Sequence, residues 1–206
     1  MTTQTANSST LGYAAFAITL WMASMLNADW FSAAPAHMNM MLAFTVGGTA
    51  MALAGLMEYG RGRTLDMLIF LGFAAFWWSW ALHSFSAGNG NMPPTDGGYM
   101  GWFFLMWAVF ACWIWLGSMH AGALRNLFTL GLWLTMLALA IADWSGIEGF
   151  TILGGYLGLI TALIAGYISA AETINEGTGH VVLSLGERRE LRDQREPQQH
   201  GTAAHA

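Results

Sequence analysis

Residues Gly47 to Trp78, GGTAMALAGLMEYGRGRTLDMLIFLGFAAFWW, constrain the fold more than any other stretch. Two apolar runs flank a short polar turn, Glu58 to Asp66. Each run is close to the roughly 20 residues that a helix needs to cross a bilayer. The turn is too short to hold a domain, so the runs are expected to be antiparallel neighbours. It carries Arg61 and Arg63, two of only seven cations in the chain. Arginine beside a membrane helix favours the cytoplasmic side, which places this turn inside the cell.

Composition agrees with a membrane reading. Charged residues make up 9% of the chain, against about 25% in an ordinary soluble domain. Lysine is absent, and nothing in the charge pattern suits a nucleic-acid partner. The one cysteine, Cys112, lies in an apolar run, so no intrachain disulfide forms. Residues 1–10 carry no cation and precede a long apolar run, so no cleavable leader is expected.

Six apolar segments follow, roughly Leu11–Leu26, Met38–Met57, Met67–Leu82, Tyr99–Gly117, Leu127–Ala142 and Gly149–Ala171. The first, third and fifth are short for a span and are expected to borrow flanking residues or to stand untilted. None has an internal proline, so each reads as an uninterrupted helix that satisfies its own backbone groups. With the N-terminus inside, Arg61, Arg63, Arg125 and the four tail arginines all fall on one side, while the other loops hold Asp29, Asp96, Asp143 and Glu148. Adding or losing a span would split them. The expected architecture is all-α: a polar segment 1–10, a six-helix transmembrane domain 11–175 and a cytoplasmic tail 176–206, in the inner membrane with both termini cytoplasmic. Arg189–Asp193 and Arg192–Glu196 are spaced for a short surface helix in the tail.

Small residues recur every four positions in the last segment, at Gly154, Gly158, Ala162, Gly166 and Ala170. Gly48, Ala52 and Gly55 make a shorter series in the second. Such stripes let helices approach closely in lipid; the alternative is a widened pore. No ionisable residue falls near the middle of any segment, which argues against a carboxylate proton relay. A path lined by aromatics, hydroxyls, amides and helix ends suits a small neutral solute or a weak acid crossing with its proton. No enzyme motif stands out, and the six histidines show no metal-ligand spacing. His83 and His120, at segment ends, read as interfacial residues rather than haem or chlorophyll ligands, so no cofactor is expected.

The pattern GG-x-A-x-x-x-AGL-x-EY-x-x-G-x-T at Gly47 to Thr64, then Phe73-Ala74-Ala75-Phe76-Trp77, resembles the acetate uptake transporter family, also called GPR1/FUN34/YaaH. Ala171-Glu172-Thr173-Ile174-Asn175-Glu176, Gly179 and Leu183-Ser184-Leu185-Gly186 are similar to its closing signature. The resemblance implies a hexamer of six-helix protomers, each with a narrow path for acetate and similar short monocarboxylates, proton-linked or channel-like. It maps the constriction to Phe16 and Phe73, and specificity positions to about Leu134 and to Ala165. The family's opening Asn-Pro-Ala-Pro-Leu-Gly-Leu reads here Asn7-Ser8-Ser9-Thr10-Leu11-Gly12-Tyr13. Its constriction tyrosine is Phe73, and a second-helix glutamine is Met51. Each change is read as making the path more apolar.

On this reading Phe16 and Phe73 form a dry neck, and Asn7, Thr19, Ser24 and Asn27 offer hydrogen bonds along the first helix, as solute contacts or as helix caps. Glu58 and Arg61, at the inner mouth, hold the turn or influence entry. Two alternatives stay open: a related channel for urea or short amides, and a non-transporting membrane subunit that packs against other proteins or pigments.

Overall fold

The computed structural model describes residues 6–31, 36–88 and 95–186. The proposed tail helix and the tail arginines, with Pro35, Pro93, Pro94 and Pro197, lie outside the described residues. Six helices are long and apolar enough to cross a membrane, and no strand occurs among the described residues. They are α1 (Ser8–Asn27), α2 (His37–Gly60), α3 (Thr64–Gly88), α4 (Gly97–Ser118), α5 (Ala123–Ser145) and α6 (Glu148–Thr178).

The three segments that looked short do borrow flanking residues: α1, α3 and α5 contain 20, 25 and 23 residues. Polar flanks such as Ser8, Thr64 and Ser145 cost nothing at a helix end, where water or another side chain meets them. Asp96 starts α4 by accepting the Gly98 N–H at 2.6 Å. With 31 residues, α6 is roughly 46 Å long at 1.5 Å per residue. Its last two turns therefore reach beyond a hydrocarbon core of about 30 Å.

Among the described residues the expected uninterrupted helices are broken in one place. Ala43–Ala50 of α2 is π-helical, between α-helical pieces Ala36–Leu42 and Met51–Gly60. The Thr49 hydroxyl follows the wider turn, donating to the Phe44 carbonyl five residues back at 3.0 Å. Gly47 and Gly48 lie in this stretch because two indoles of α3 press on it. A Cβ at Gly47 would fall 2.7 Å from the Trp77 ring, and one at Gly48 would fall 2.1 Å from Trp78. The wider turn and the absent Cβ atoms together make room for those rings.

The helix α1 packs most extensively on α6, and α5 bridges α4 and α6. The small-residue stripe of α6 serves this packing. Gly158 lies under Ser24, Gly166 under Ala17, and Gly154 against Leu139 of α5. Gly55 of α2 similarly lies against Leu71 of α3. Bulky apolar residues such as Leu53, Trp113 and Leu163 stay exposed on the outside, a surface suited to lipid. Trp30, Trp102 and Trp144 sit half-exposed near helix ends, where their amphipathic rings suit a membrane interface.

Candidate functional site

Aromatic rings close the middle of the bundle. Phe16 of α1 meets Phe73 of α3 edge-on at 5.2 Å between centroids, and meets Phe128 of α5 at 5.1 Å. Tyr13, one turn earlier, makes edge contacts with Phe70 and Phe128. All five rings are fully buried. Each edge-to-face pair adds about 0.5–1.5 kcal/mol beyond the area it buries, so the cluster is a firm closure. The buried Leu132 and Ala165 belong to the same core.

A cavity lies at each end of this closure. One, of about 220 Å³, is lined by Ser24, Asn27, Asn39, Phe76, Trp77 and Asp143, among others. A more open hollow of about 340 Å³ shares Asn27, Asp143 and Thr151 with it. The other, of about 300 Å³, is lined by Asn7, Arg63, Arg125, Glu172 and the segment Val181 to Leu185. Along α1 the order is Asn7, Phe16, Ser24; along α3 it is Arg63, Phe73, Trp77; along α5 it is Arg125, Phe128, Asp143. On each helix the aromatic residue therefore falls between the linings of the two cavities.

The arginine end is organised by alternating charges. The fully buried carboxylate of Glu58 faces Arg61 at 2.9 Å and Arg63 at 3.2 Å. Arg63 continues to Asp66 at 2.6 Å. Arg125 then spans Asp66 at 3.5 Å and Glu172 at 2.9 Å, with its guanidinium 5.9 Å from the Tyr13 ring centre. Three arginines and three carboxylates balance, so a cluster whose carboxylates are buried and whose arginines are partly exposed carries no net charge. Hydroxyls complete it. Ser8 donates to Glu58, Ser9 to Glu172, and the Tyr13 hydroxyl to Asp66. These residues occupy positions where the resembled opening motif has proline, alanine and leucine. Ser8, where that motif has proline, thus gives a carboxylate its hydroxyl donor.

Beyond Thr178 the chain folds back over this mouth. Asn175 accepts the Val182 and Leu183 N–H groups at 2.8 and 2.9 Å, and the Ala123 N–H donates to the Gly186 carbonyl at 3.1 Å.

The residues singled out from sequence fall in three groups. Phe16, Phe73 and Ala165 come together in the core. Leu134 is half-buried and outside that cluster, whereas Leu132, two residues earlier, is fully buried within it. Asn7 belongs to the charged mouth, donating to Glu172 at 3.1 Å and accepting from Arg61 at 2.9 Å. Glu58 and Arg61 pair there too. Ser24 and Asn27 line the cavity at the opposite end, and Thr19 is buried one turn above Phe16. The sequence reading missed Asp66, Arg125 and Glu172 as a unit, along with Phe128 and Asn39. Their signal was present in part, since a lone Arg125 and Glu172 at two span ends are costly unless paired.

Comparison with known proteins follows the same outline. The chain is 26% identical to the succinate-acetate/proton symporter SatP of Escherichia coli over 185 residues, 90% of this chain and 97% of that protein. It is 26% identical to ammonia transport outward protein 2 of Saccharomyces cerevisiae, over 86% of this chain and 65% of that protein. The structure of the bacterial acetate channel SatP shares the fold at a TM-score of 0.84 and 24% identity, covering 89% of this chain and all of the other. Residues 1–185 match the family model described as GPR1/FUN34/yaaH, and the chain belongs to that family of six-helix membrane proteins.

Proposed function

We propose that the chain conducts acetate and similar short monocarboxylates through the middle of each protomer, passively or with a proton, and that protomers assemble as a hexamer. The route runs from the cavity at Ser24 and Asn27, past Phe16 and Phe73, to the mouth held by Glu58 and Arg61. Ala165 and Leu132 shape its waist. The membrane is the inner membrane, with both termini and the arginine mouth facing the cytoplasm, as the arginine distribution favours. The observation that carries this reading is the dry aromatic closure standing between two cavities. An ionised acid pays heavily to enter such a neck, whereas its protonated form does not.

Labelled acetate uptake into liposomes holding the purified protein is the test. Uptake is expected to exceed that of empty liposomes and to rise as external pH falls. Phe73→Ala removes a ring from the closure and is expected to raise uptake several-fold. Ala165→Trp fills the waist and is expected to bring uptake to background. Size-exclusion profiles check that both variants fold. If neither substitution altered uptake in folded protein, the route would be misplaced.

A second reading has its own support: the yeast relative's ammonia transport and the absence of any cation lining the cavity at Asn39 among the described residues. A channel for ammonia, urea or short amides would show flux that does not follow acid protonation. Comparing acetate and acetamide flux in the same liposomes across pH separates the two: acetate flux that rises as pH falls favours the acid route, and amide flux without acetate flux the other.

A further inference from the structure

Three buried hydrogen-bonding groups at or beside the cavity opposite the arginine mouth have no partners. Thr19 Oγ1, Asn39 Oδ1 and Trp77 Nε1 are buried and pair with nothing, and their residues are 0%, 7% and 3% exposed. Asn39 and Trp77 line the cavity. Thr19 and Trp77 flank the same glycine, since a Cβ at Gly47 would lie 2.8 Å from the Thr19 methyl and 2.7 Å from the Trp77 ring. Thr19 stands one turn from Phe16 on α1, and Trp77 one turn from Phe73 on α3. Thr19 and Trp77 thus stand between the cavity and the ring closure, with Asn39 at the cavity wall.

Leaving them unpaired is not forced by local structure. Other threonines in these helices return their hydroxyls to the carbonyl four residues back. Thr45 does so at 2.8 Å, and Thr135 and Thr161 at 2.7 Å. Thr19 does not. A buried polar group with no partner costs about 1–3 kcal/mol, and three in one place call for an explanation.

We propose that Thr19, Asn39 and Trp77 form a solute-binding ladder selective for small uncharged molecules that carry both a hydrogen-bond donor and an acceptor. The chemistry follows from the atoms. The Trp77 indole only donates, and it meets a carbonyl oxygen. The Asn39 amide oxygen only accepts, and it meets an O–H or N–H. Thr19 does either. An undissociated carboxylic acid or a primary amide satisfies all three. A carboxylate has no proton to give Asn39, and Asp143 is the sole ionisable side chain among the described residues lining this cavity, so no cation compensates an anion. The ladder thus narrows the pathway reading, on which it rests, to the neutral species of the solute.

The test uses the purified full-length protein in liposomes, with acetamide swelling and labelled acetate uptake as two probes. Thr19→Val and Asn39→Leu remove the polar atoms at nearly constant shape. Each is expected to slow both probes roughly fivefold to tenfold, the factor that about 1 to 1.4 kcal/mol of lost hydrogen bonding sets. Removing an unpaired polar group leaves the fold intact, so the thermal unfolding temperature of each variant should stay level or rise. Folded variants that pass both probes at the unmodified rate overturn the ladder and leave the acetate pathway standing. Variants that lose stability in step with transport overturn it too, since the groups would then be structural. Unmodified protein that passes acetate but no acetamide overturns the neutral-solute class. Liposomes that pass neither probe overturn the ladder and the pathway together.

Discussion

Arg125→Met is expected to cost the protein about 3–5 kcal/mol, the range for removing one partner from a buried ion pair. Among the described residues Arg125 is the single link between Asp66 and Glu172. Without it Glu172 keeps, among those residues, only the neutral donors Asn7 and Ser9, and its charge loses its cation. The detergent-solubilised variant should unfold on the order of 10 °C lower, taking about 2–4 °C per kcal/mol for a chain of this size. Combining Arg125→Met with Glu172→Gln should recover much of the loss, because it removes the stranded carboxylate along with the cation, while Asp66 keeps Arg63. Arg61→Met supplies the contrast. Its guanidinium is partly exposed, and Glu58 retains Arg63, so the cost should stay below about 1 kcal/mol. Equal unfolding temperatures for Arg125→Met and unmodified protein would show that the charges do not tie the helix ends together.

The second large effect is expected from a single methyl group. A Cβ at Gly155 would stand 2.3 Å from the Ala28 backbone nitrogen and 2.7 Å from both Ala28 Cα and the Asn27 carbonyl carbon. Those atoms are main chain, so they cannot swing aside as a side-chain tip can. Gly155→Ala must push the end of α1 off α6, the most extensive helix contact in the fold. Overpacking of this kind costs roughly 3 kcal/mol or more when backbone has to move. The yield of monodisperse protein should fall sharply, and Gly155→Val should abolish it. Gly166→Ala lies on the same helix with its nearest neighbour, the Ala17 methyl, at 3.7 Å. There the added methyl fits, and the better helix propensity of alanine is expected to leave stability unchanged or raise it by about 0.5–1 kcal/mol. If Gly155→Ala expressed and unfolded like Gly166→Ala, the α1–α6 seam would be looser than the backbone distances at Gly155 require.

Both effects arise where distant parts of the chain meet, and that limits what a sequence can tell. Glu172 is 47 residues from Arg125 and 163 from Ser9. No spacing rule joins them, because they are brought together by helix ends stacking at one face of the bundle. The same holds for Phe128, which completes the ring closure from α5, and for Leu132 rather than Leu134 turning inward. A shift of two residues rotates a side chain by about 200° around a helix at 3.6 residues per turn, so a small uncertainty in register selects the opposite face. The π-helical turn at Ala43–Ala50 was equally hidden, since it answers to Trp77 and Trp78 on another helix.

The six spans, their short turns and the gathering of small residues into stripes were legible in the sequence alone. Their cause is local: a bilayer demands a run of apolar residues long enough to cross it, with every backbone group satisfied within the run. Which buried carboxylate meets which arginine, which rings shut the middle, and which polar atoms are left unpaired were decided by tertiary packing. Those outcomes depend on the angle and rotation at which one finished helix meets another, and no single helix contains that information.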